Sequence, residues 1–282
     1  MIGSIFLSSM PAPINEVQNT LQIQCTTPRF TDLEFSKAER ILTKRLEDFG
    51  INNFKFESNN STGIIKIKMP LDVDQKVLEK LLTMKGQLAF YETIDRQRAL
   101  NSMGSDDFLF KLMNIPVKKK QLGILGSQAI LGYTKGDNRN AIEDYLKVKA
   151  TEGKIFPGIK FAWGFSPLEN SSYALFLLEE IPKLNNSFVT DASARKNDRA
   201  SVDVLLSFNE DGAGLWKEMT GKSIGKSIAI VIDDQVYSAP KVNEAIANGK
   251  CMISGNFSEQ EVAILVSLLG NEALPLDFEL IK

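Results

Sequence analysis

The order of the regular segments in the first third of the chain constrains its fold more than any other feature. Residues 21–24 alternate between apolar and polar side chains, which predicts a strand. Asp32 precedes a helical apolar pattern, and a hairpin is predicted around the turn at 58–63. A second helical pattern begins at Asp72, and residues 87–92 are predicted to close the unit as a strand. The resulting order, β-α-β-β-α-β, is that of a ferredoxin-like fold.

The C-terminal part of the chain repeats this order. Asp233 and Asp234 lie in the turn of a predicted hairpin, where Asp is favoured because it tolerates positive φ. Ser258 and Glu261 form a predicted capping box at the start of the last helix. The predicted segments lie at 202–208, 209–219, 228–238, 251–254, 258–270 and 276–281. We therefore expect two ferredoxin-like halves that pack together as one base.

A different pattern, of short helices and apolar strands, separates the two halves. We predict an α+β fold in which this segment, 94–199, forms an inserted α+β head subdomain. The base then consists of 21–93 and 200–282, and residues 1–20 are an N-terminal extension. Ile94 and Arg199 mark the two crossings between head and base, and the polar, turn-rich sequences nearby indicate hinges there.

The composition excludes several classes of function. The chain has no histidine, which removes the commonest general base and transition-metal ligand. Its net charge is −2 and its only local basic run is Lys118-Lys119-Lys120, so nucleic-acid binding is not expected. Cys25 and Cys251 lie too far apart in sequence for a paired zinc site. We predict two buried thiols, with a disulfide possible only if the Cα atoms come within about 7 Å.

One glycine-rich segment, Gly221–Ser227, resembles a phosphate-binding loop without meeting its requirements. It has three residues between the glycines instead of four, and it follows a helix and opens a strand, which is the reverse order. We therefore expect no cofactor and no metal, and we assign no catalytic residue. No stretch approaches the ~20 apolar residues that cross a bilayer. The chain is expected to be soluble and to carry no export signal of its own.

The predicted head carries a cluster of aromatic side chains. In the stretch 161–165, aromatic residues alternate with small ones, so all three aromatics are expected on one side of a strand. Such a face is typical of core packing, and it also fits an apolar groove that holds an extended, unfolded chain. Under the second interpretation the binding residues are Phe108, Tyr133, Phe161, Trp163 and Phe165.

Several short motifs stand out in the sequence. They are 38–50, Gly86–Phe90, 189–192, Phe208–Ala213, Gly225–Asp233, Tyr237–Pro240 and Ile253–Ser258. Together they resemble the large extracytoplasmic domain of the SecD family, which belongs to the bacterial protein-export machinery. In the predicted head, Gly132–Tyr133 and Ile159–Trp163 resemble more loosely the form found in Bacteroidetes-type SecD–SecF fusions.

This resemblance implies a location on the extracytoplasmic (periplasmic) face of the cytoplasmic membrane. It implies that the domain captures unfolded secretory preprotein as it leaves the SecYEG channel, with movement of the head relative to the base. The implied partners are these preproteins, the SecYEG channel and a SecF-like membrane part. The family's transmembrane helices and proton-relay carboxylate are not in this sequence. The resemblance therefore fits either an excised domain or a stand-alone relative.

Two other classes of function compete with this one. An enzyme built on carboxylates or hydroxyl groups would need a deep pocket with strongly shifted carboxylates, and no sequence motif supports it. A ferredoxin-like ligand-sensing or assembly module with no transport role would need a small-molecule cavity or a stable homodimer. We take the export module as the main hypothesis and the sensing or assembly module as its alternative.

Overall fold

The computed structural model describes residues 18–70, 74–101, 103, 108–115, 128–151, 157–168, 171–196 and 201–281. In these ranges the helices are α1 (Asp32–Asp48), α2 (Gln75–Thr83), α3 (Arg96–Leu100), α4 (Phe108–Leu112), α5 (Arg139–Thr151), α6 (Glu210–Lys222) and α7 (Glu259–Leu269). The strands are β1 (Gln18–Cys25), β2 (Lys55–Asn59), β3 (Ile64–Pro70), β4 (Leu88–Glu92), β5 (Ile130–Lys135), β6 (Ile159–Gly164), β7 (Ser172–Glu179), β8 (Leu184–Asn185), β9 (Val189–Lys196), β10 (Val202–Phe208), β11 (Ile228–Ile232), β12 (Gln235–Ser238), β13 (Lys250–Ile253) and β14 (Phe278–Ile281). Asp72, the hinge candidate Arg199 and the lysine run at 118–120 lie outside the described residues.

The N-terminal part of the chain forms an antiparallel sheet of order β14-β1-β3-β2. Alternate residues of β1 and β3, such as Ile23 and Ile65, are fully buried in one core with side chains of α1 and α2. Helix α1 begins at a capping box formed by Thr31 and Glu34, so Thr31 and not Asp32 is its N-cap. Asp74 caps α2 by accepting two backbone N–H groups.

Residues 87–92 do not close this sheet, because they belong to a second one. Strand β4 pairs with β11 in a seven-stranded sheet of order β5-β7-β6-β12-β11-β4-β8. A bridge between Thr93 and Leu178 joins the end of β4 back to β7, and the Ile94 N–H donates to Leu177 O at 2.9 Å. The strands from β7 to β4 thus close into a small barrel, whose interior holds mainly Ala and Val side chains.

A third sheet, of order β13-β10-β9, completes the described fold. Its inner face packs with α6, α7 and one side of β4 and β11, in a core that includes Phe90, Leu206 and Trp216. Helix α7 contributes Leu268 to the N-terminal core and Leu265 to this second core. The helix therefore connects the two units.

The predicted α+β class is confirmed, whereas the two ferredoxin-like halves are not confirmed as predicted. The strand at 276–281, expected to close the second half, pairs with β1 instead, and β9 occupies the edge beside β10. The β11–β12 hairpin joins the seven-stranded sheet and not the third sheet. Periodicity identifies a strand and its buried face, but it carries no information about a partner at the other end of the chain.

The predicted inserted segment, 94–199, shares its sheets with the rest of the protein in the described parts. Its strands β5, β6 and β7 belong to the seven-stranded sheet, and β9 belongs to the third. Ile94 is 4% exposed and packs in a core cluster with Leu109 and Trp163. A hinge at Ile94 stays a prediction, and in this conformation the residue is buried and hydrogen-bonded.

Candidate functional site

Two of the predicted binding aromatics, Phe161 and Trp163, lie on the core side of β6. Trp163 is 6% exposed, and its indole N–H donates to Glu143 Oε1 at 2.8 Å. The Arg139 guanidinium lies 5.1 Å from the Trp163 ring centroid and 4.6 Å from that of Tyr173. Trp163 therefore helps to hold α5 on the sheet, and its ring offers little surface to a ligand in this conformation.

Phe108 and Tyr133 belong to the same predicted head segment as Trp163, but their surroundings differ from those of Trp163. Phe108 is 39% exposed and contacts the Tyr145 ring, with centroids 5.2 Å apart. Tyr133 is half-buried, and its burial raises the pKa of its hydroxyl, while the nearby Arg96 charge acts in the opposite direction. The binding roles of Phe108, Tyr133, Phe161 and Trp163 stay predictions.

Phe165 lies apart from the other predicted aromatics, because β6 ends at Gly164. Its backbone N–H donates to Val236 O at 2.9 Å, and its ring stacks on Tyr237 with centroids 4.0 Å apart and planes 16° apart. The expectation that three aromatics share one face therefore holds for Phe161 and Trp163, while Phe165 turns toward β12.

Phe165 and Tyr237 form one wall of a surface depression that we call the aromatic crevice. Its empty volume is about 270 Å³, part of it open to solvent. The crevice lies where α2, α7, β12 and the end of β6 meet, so all three predicted segments of the chain contribute to it. Its lining residues are Lys80, Met84, Phe165, Tyr237, Phe257, Glu261, Ile264 and Leu265.

The position of Phe257 in the crevice depends on Gly255. A Cβ atom built on Gly255 would lie 2.6 Å from the Phe257 ring, so only glycine allows this ring to fold back over the turn. The ring then lies 6.4 Å from that of Tyr237. The sequence Ile253–Ser258 is thus explained by geometry: a strand end, a glycine beneath a ring, and the cap of α7 at Ser258.

The carboxylate of Glu261, one of the two charged residues that line the crevice, is held by local hydrogen bonds. Glu261 accepts the Ser258 backbone N–H at 3.0 Å, which holds the pKa of this carboxyl below its usual value; Lys80 contributes in the same direction. Burial raises the pKa of Tyr237 well above its ordinary value, and the negative charges of Asp233 and Glu261 add to this shift. The crevice therefore presents a neutral aromatic floor between one anionic and one cationic side chain at neutral pH.

The β11–β12 turn confirms the hairpin predicted at Asp233 and Asp234, which have φ of 47° and 62°. The Asp233 carboxylate also accepts the backbone N–H groups of Gly86 at 3.1 Å and Gln87 at 2.7 Å. Asn186 binds the same segment, since its amide donates to Gly86 O at 2.9 Å. The turn therefore fixes the segment that leads from Met84, at the crevice, into β4.

Arg45 holds this segment from the opposite side. Its guanidinium is fully buried and donates to Met84 O and Lys85 O, both at 2.6 Å, and to Leu81 O at 3.3 Å. Burial lowers the pKa of Arg45 to about 10, and the Asp233 charge opposes that shift. A Cβ on Gly86, whose φ is +68°, would lie 2.8 Å from Arg45 Nη2. Glycine is therefore required at this position for two independent reasons.

Sequence reasoning missed Tyr237, Phe257 and Arg45. The first two lie within or beside motifs that resemble SecD, but no periodicity places them against Phe165. Arg45 stands on the apolar face of α1, between Leu42 and Leu46, which is a recognisable signal for a buried charge with carbonyl partners. The predicted buried thiols are confirmed: Cys25 and Cys251 are both free and buried.

Comparisons with known proteins agree on one family. Residues 165–276 match the family model described as SecDF, P1 head subdomain. This match overlaps the predicted inserted segment only over 165–199 and covers most of the predicted second half of the base. The domain boundary at residue 199 therefore stays a prediction.

Curated relatives carry the name protein translocase subunit SecD. The protein of Rhodothermus marinus is 29% identical over 164 residues, which is 56% of this chain and 26% of that protein. The protein of Syntrophobacter fumaroxidans is 27% identical, over 77% of this chain and 42% of its own length. That of Rickettsia felis is 25% identical, over 94% and 48%. The chain thus spans less than half the length of these relatives.

Solved structures of SecDF share the fold. One, described as a membrane component SecDF that enhances protein export, superposes with a TM-score of 0.55 at 18% identity, over 94% of this chain and 98% of that chain. Another, the super-membrane-facing form of SecDF, gives a TM-score of 0.56 at 19% identity, over 95% of this chain and 30% of the other.

The sequence matches define the class of proteins that this chain resembles, the subunits of protein translocases. Within that class it is similar to SecD, and its residues 165–276 resemble the P1 head subdomain of SecDF. Among the residues that the structure describes, no helix is both long and apolar enough to cross a membrane.

Proposed function

We propose that this domain assists protein export on the extracytoplasmic side of the membrane by binding unfolded preprotein. The observation that carries the proposal is the similarity to SecD translocase subunits, which extends over 94% of the chain for the Rickettsia felis protein. The role is one of binding and not of catalysis. Its proposed partners are the emerging preprotein, the SecYEG channel and a SecF-like membrane part.

The aromatic crevice is our proposed contact for apolar side chains of the preprotein. Phe165, Tyr237 and Phe257 provide ring surface, and Met84 adds a flexible side chain that adapts to different partners. The crevice is small, about 270 Å³ with part of this volume open to solvent, so it suits one side chain at a time and weak binding. Weak binding without strict sequence preference is what repeated capture and release of a moving chain requires.

Movement of the head relative to the base is the second part of the proposal. Supporting it, Phe165 of the predicted head stacks on Tyr237 of the predicted base in the wall of the crevice, so a displacement of the end of β6 against β12 would open or close it. Spin labels at the exposed positions Lys55 and Lys135, one in each region, would report such movement by pulsed electron paramagnetic resonance. We expect the distance distribution to change when an unfolded polypeptide is added. A single distance that the polypeptide does not affect would count against movement.

The binding proposal is tested by fluorescence anisotropy. The probe is a fluorescein-labelled secretory protein kept unfolded by reduction and carboxymethylation of its cysteines, and the same protein in its folded form is the competitor. We expect saturable binding of the unfolded probe and no competition by the folded form. Equal affinity for both forms would overturn the proposal.

Two variants locate the contact. Phe165→Ala should weaken binding about fivefold, because an aromatic contact contributes roughly 1 kcal/mol. Phe54→Ala is the matched control, since Phe54 is also half-buried and also packs against another ring, Phe56, but lies on the N-terminal unit. Trp163→Ala tests the site expected from the sequence, provided that circular dichroism shows an intact fold.

A further inference from the structure

We infer that the outer edge of β9, which pairs with no other strand among the described residues, binds an extended segment of unfolded polypeptide as an added strand. This inference rests on the proposed function, because it specifies how a chain in transit would be held. Strand β9 lies at the end of the third sheet and pairs with β10 from Val189 to Lys196. Among the described residues it is the longest strand at a sheet edge.

The alternation of hydrogen bonds along β10 shows which backbone N–H and C=O groups of β9 point away from the sheet. The Phe208 N–H donates to Gly249 O, on the β13 side of β10. Peptide groups alternate between the two sides along a strand, so Leu205 faces β9, where it pairs with Ser193. Ser193 therefore bonds to β10. The outward-facing N–H and C=O groups belong to Ala192, Ala194 and Lys196.

The surroundings of this edge favour an added strand. Ala192 is half-buried in the second core, and Val266 of α7 is a partly buried member of the same cluster. Ala194 pairs with Val204 and so lies on the same face as Ala192, but it is exposed. Alternate side chains of an added strand would lie over this face and extend the apolar cluster.

Sheet edges are usually protected by proline, by short length, by bulges or by charged side chains, especially ones that point inward. Strand β9 has no proline, and its register is irregular only near Val189. On the face that carries Ala192 and Ala194, the charged side chain is that of Lys196 at the end of the strand, so the stretch 192–194 has no inward-pointing charge. The chemistry of the edge therefore selects an extended backbone as its partner. Main-chain pairing depends little on side-chain sequence, which suits a site for varied polypeptides.

Ala194→Pro tests the inference because it removes one outward N–H while leaving the Ser193 pair with β10 in place. Ala194→Val is the matched control, since it changes the side chain and keeps the N–H. With the unfolded fluorescein-labelled probe, we expect the proline variant to bind about fivefold more weakly, as expected for one lost hydrogen bond. The valine variant should bind within about twofold of the wild type.

The outcomes separate this inference from the proposed function. If Ala194→Pro binds like the wild type while Phe165→Ala binds more weakly, the edge inference is wrong and the binding function stands. If the wild type does not bind the probe, the proposed function fails, and the inference fails with it. A concentration-dependent dimer in light scattering that Ala194→Pro abolishes would assign the edge to a second copy of this chain and would also overturn the inference.

A second measurement does not depend on the proline variant folding. Amide exchange of the wild-type protein, followed by NMR, should slow at Ala192, Ala194 and Lys196 when the unfolded probe is added, because these N–H groups become hydrogen-bonded. Unchanged exchange at all three positions under saturating probe would overturn the inference.

Discussion

Replacement of Arg45 by methionine tests whether the buried guanidinium organises the region beneath the crevice. Arg45 is fully buried, and it donates to three carbonyl groups at the C-terminal end of α2 and just beyond it. Methionine retains an apolar stem of similar length but provides no donor. The variant therefore leaves the carbonyls of Leu81, Met84 and Lys85 without this partner.

The expected loss follows from two opposing contributions. Each buried acceptor left unpaired costs about 1–3 kcal/mol. Against this, the variant no longer has to bury a cation, a cost that is visible in the pKa of Arg45, lowered to about 10 by burial, and in its buried Nε, which has no hydrogen-bond partner. We expect the free energy of unfolding to fall by about 3 kcal/mol.

Urea unfolding followed by circular dichroism measures this loss. Arg40→Met is the matched control, because Arg40 lies on the same helix and its side chain is 72% exposed, with one ion pair at 4.0 Å. We expect this control to change stability by less than about 0.5 kcal/mol. A loss below about 1 kcal/mol for Arg45→Met would refute the reasoning, because the desolvation cost of the cation would then offset its hydrogen bonds.

Three further predictions concern the crevice and the buried thiols. Gly255→Ala should displace the Phe257 ring and weaken binding of unfolded polypeptide in anisotropy measurements, whereas Gly214→Ala, where a Cβ meets nothing within 4 Å, should leave binding unchanged; equal effects would contradict the assigned role of Gly255. The pKa of Glu261 is lowered in the folded state, so its stabilising contribution is present above the ordinary carboxyl pKa of 4.5 and is lost as the pH falls through the folded-state value. Glu261→Gln should therefore flatten the acid limb of a plot of stability against pH, and an unchanged limb would count against the cap. Burial raises the pKa of Cys251 to about 12, so this thiol should resist alkylation at pH 8 until the protein is unfolded; rapid labelling of the native protein would show that the site opens.

The local elements of the fold follow from the sequence more closely than their partners do. The alternation in β1 and β3, the Asp233–Asp234 turn and the Ser258–Glu261 cap all have short-range physical causes, and the structure shows each of them. No short-range feature predicts which strand closes which sheet. Both β4 and β14 are apolar strands that follow a helix. That β14 and not β4 joins β1 depends on all the sheet edges that are available in the folded protein.

The candidate site shows the same limit. Phe165 could be identified from sequence because it belongs to an aromatic run. Its stacking partner Tyr237 comes from a strand that pairs with β6 only over a short parallel stretch, Gln235 with Trp163 and Val236 with Gly164. Trp163 belongs to the same run, but its side chain lies in the core. Alternation of residue types along a strand predicts two different faces, and it does not predict which face is covered.

Site-specific photocrosslinking measures most directly whether unfolded polypeptide is held at the aromatic crevice. Benzoylphenylalanine is placed at Ser166, an exposed residue next to Phe165, and in a separate protein at Lys55, which is exposed on the edge strand β2. We predict crosslinks from position 166 to an unfolded secretory protein, few to its folded form, and few from position 55 to either. Equal crosslinking from both positions, or to folded and unfolded forms alike, would contradict the proposed binding site.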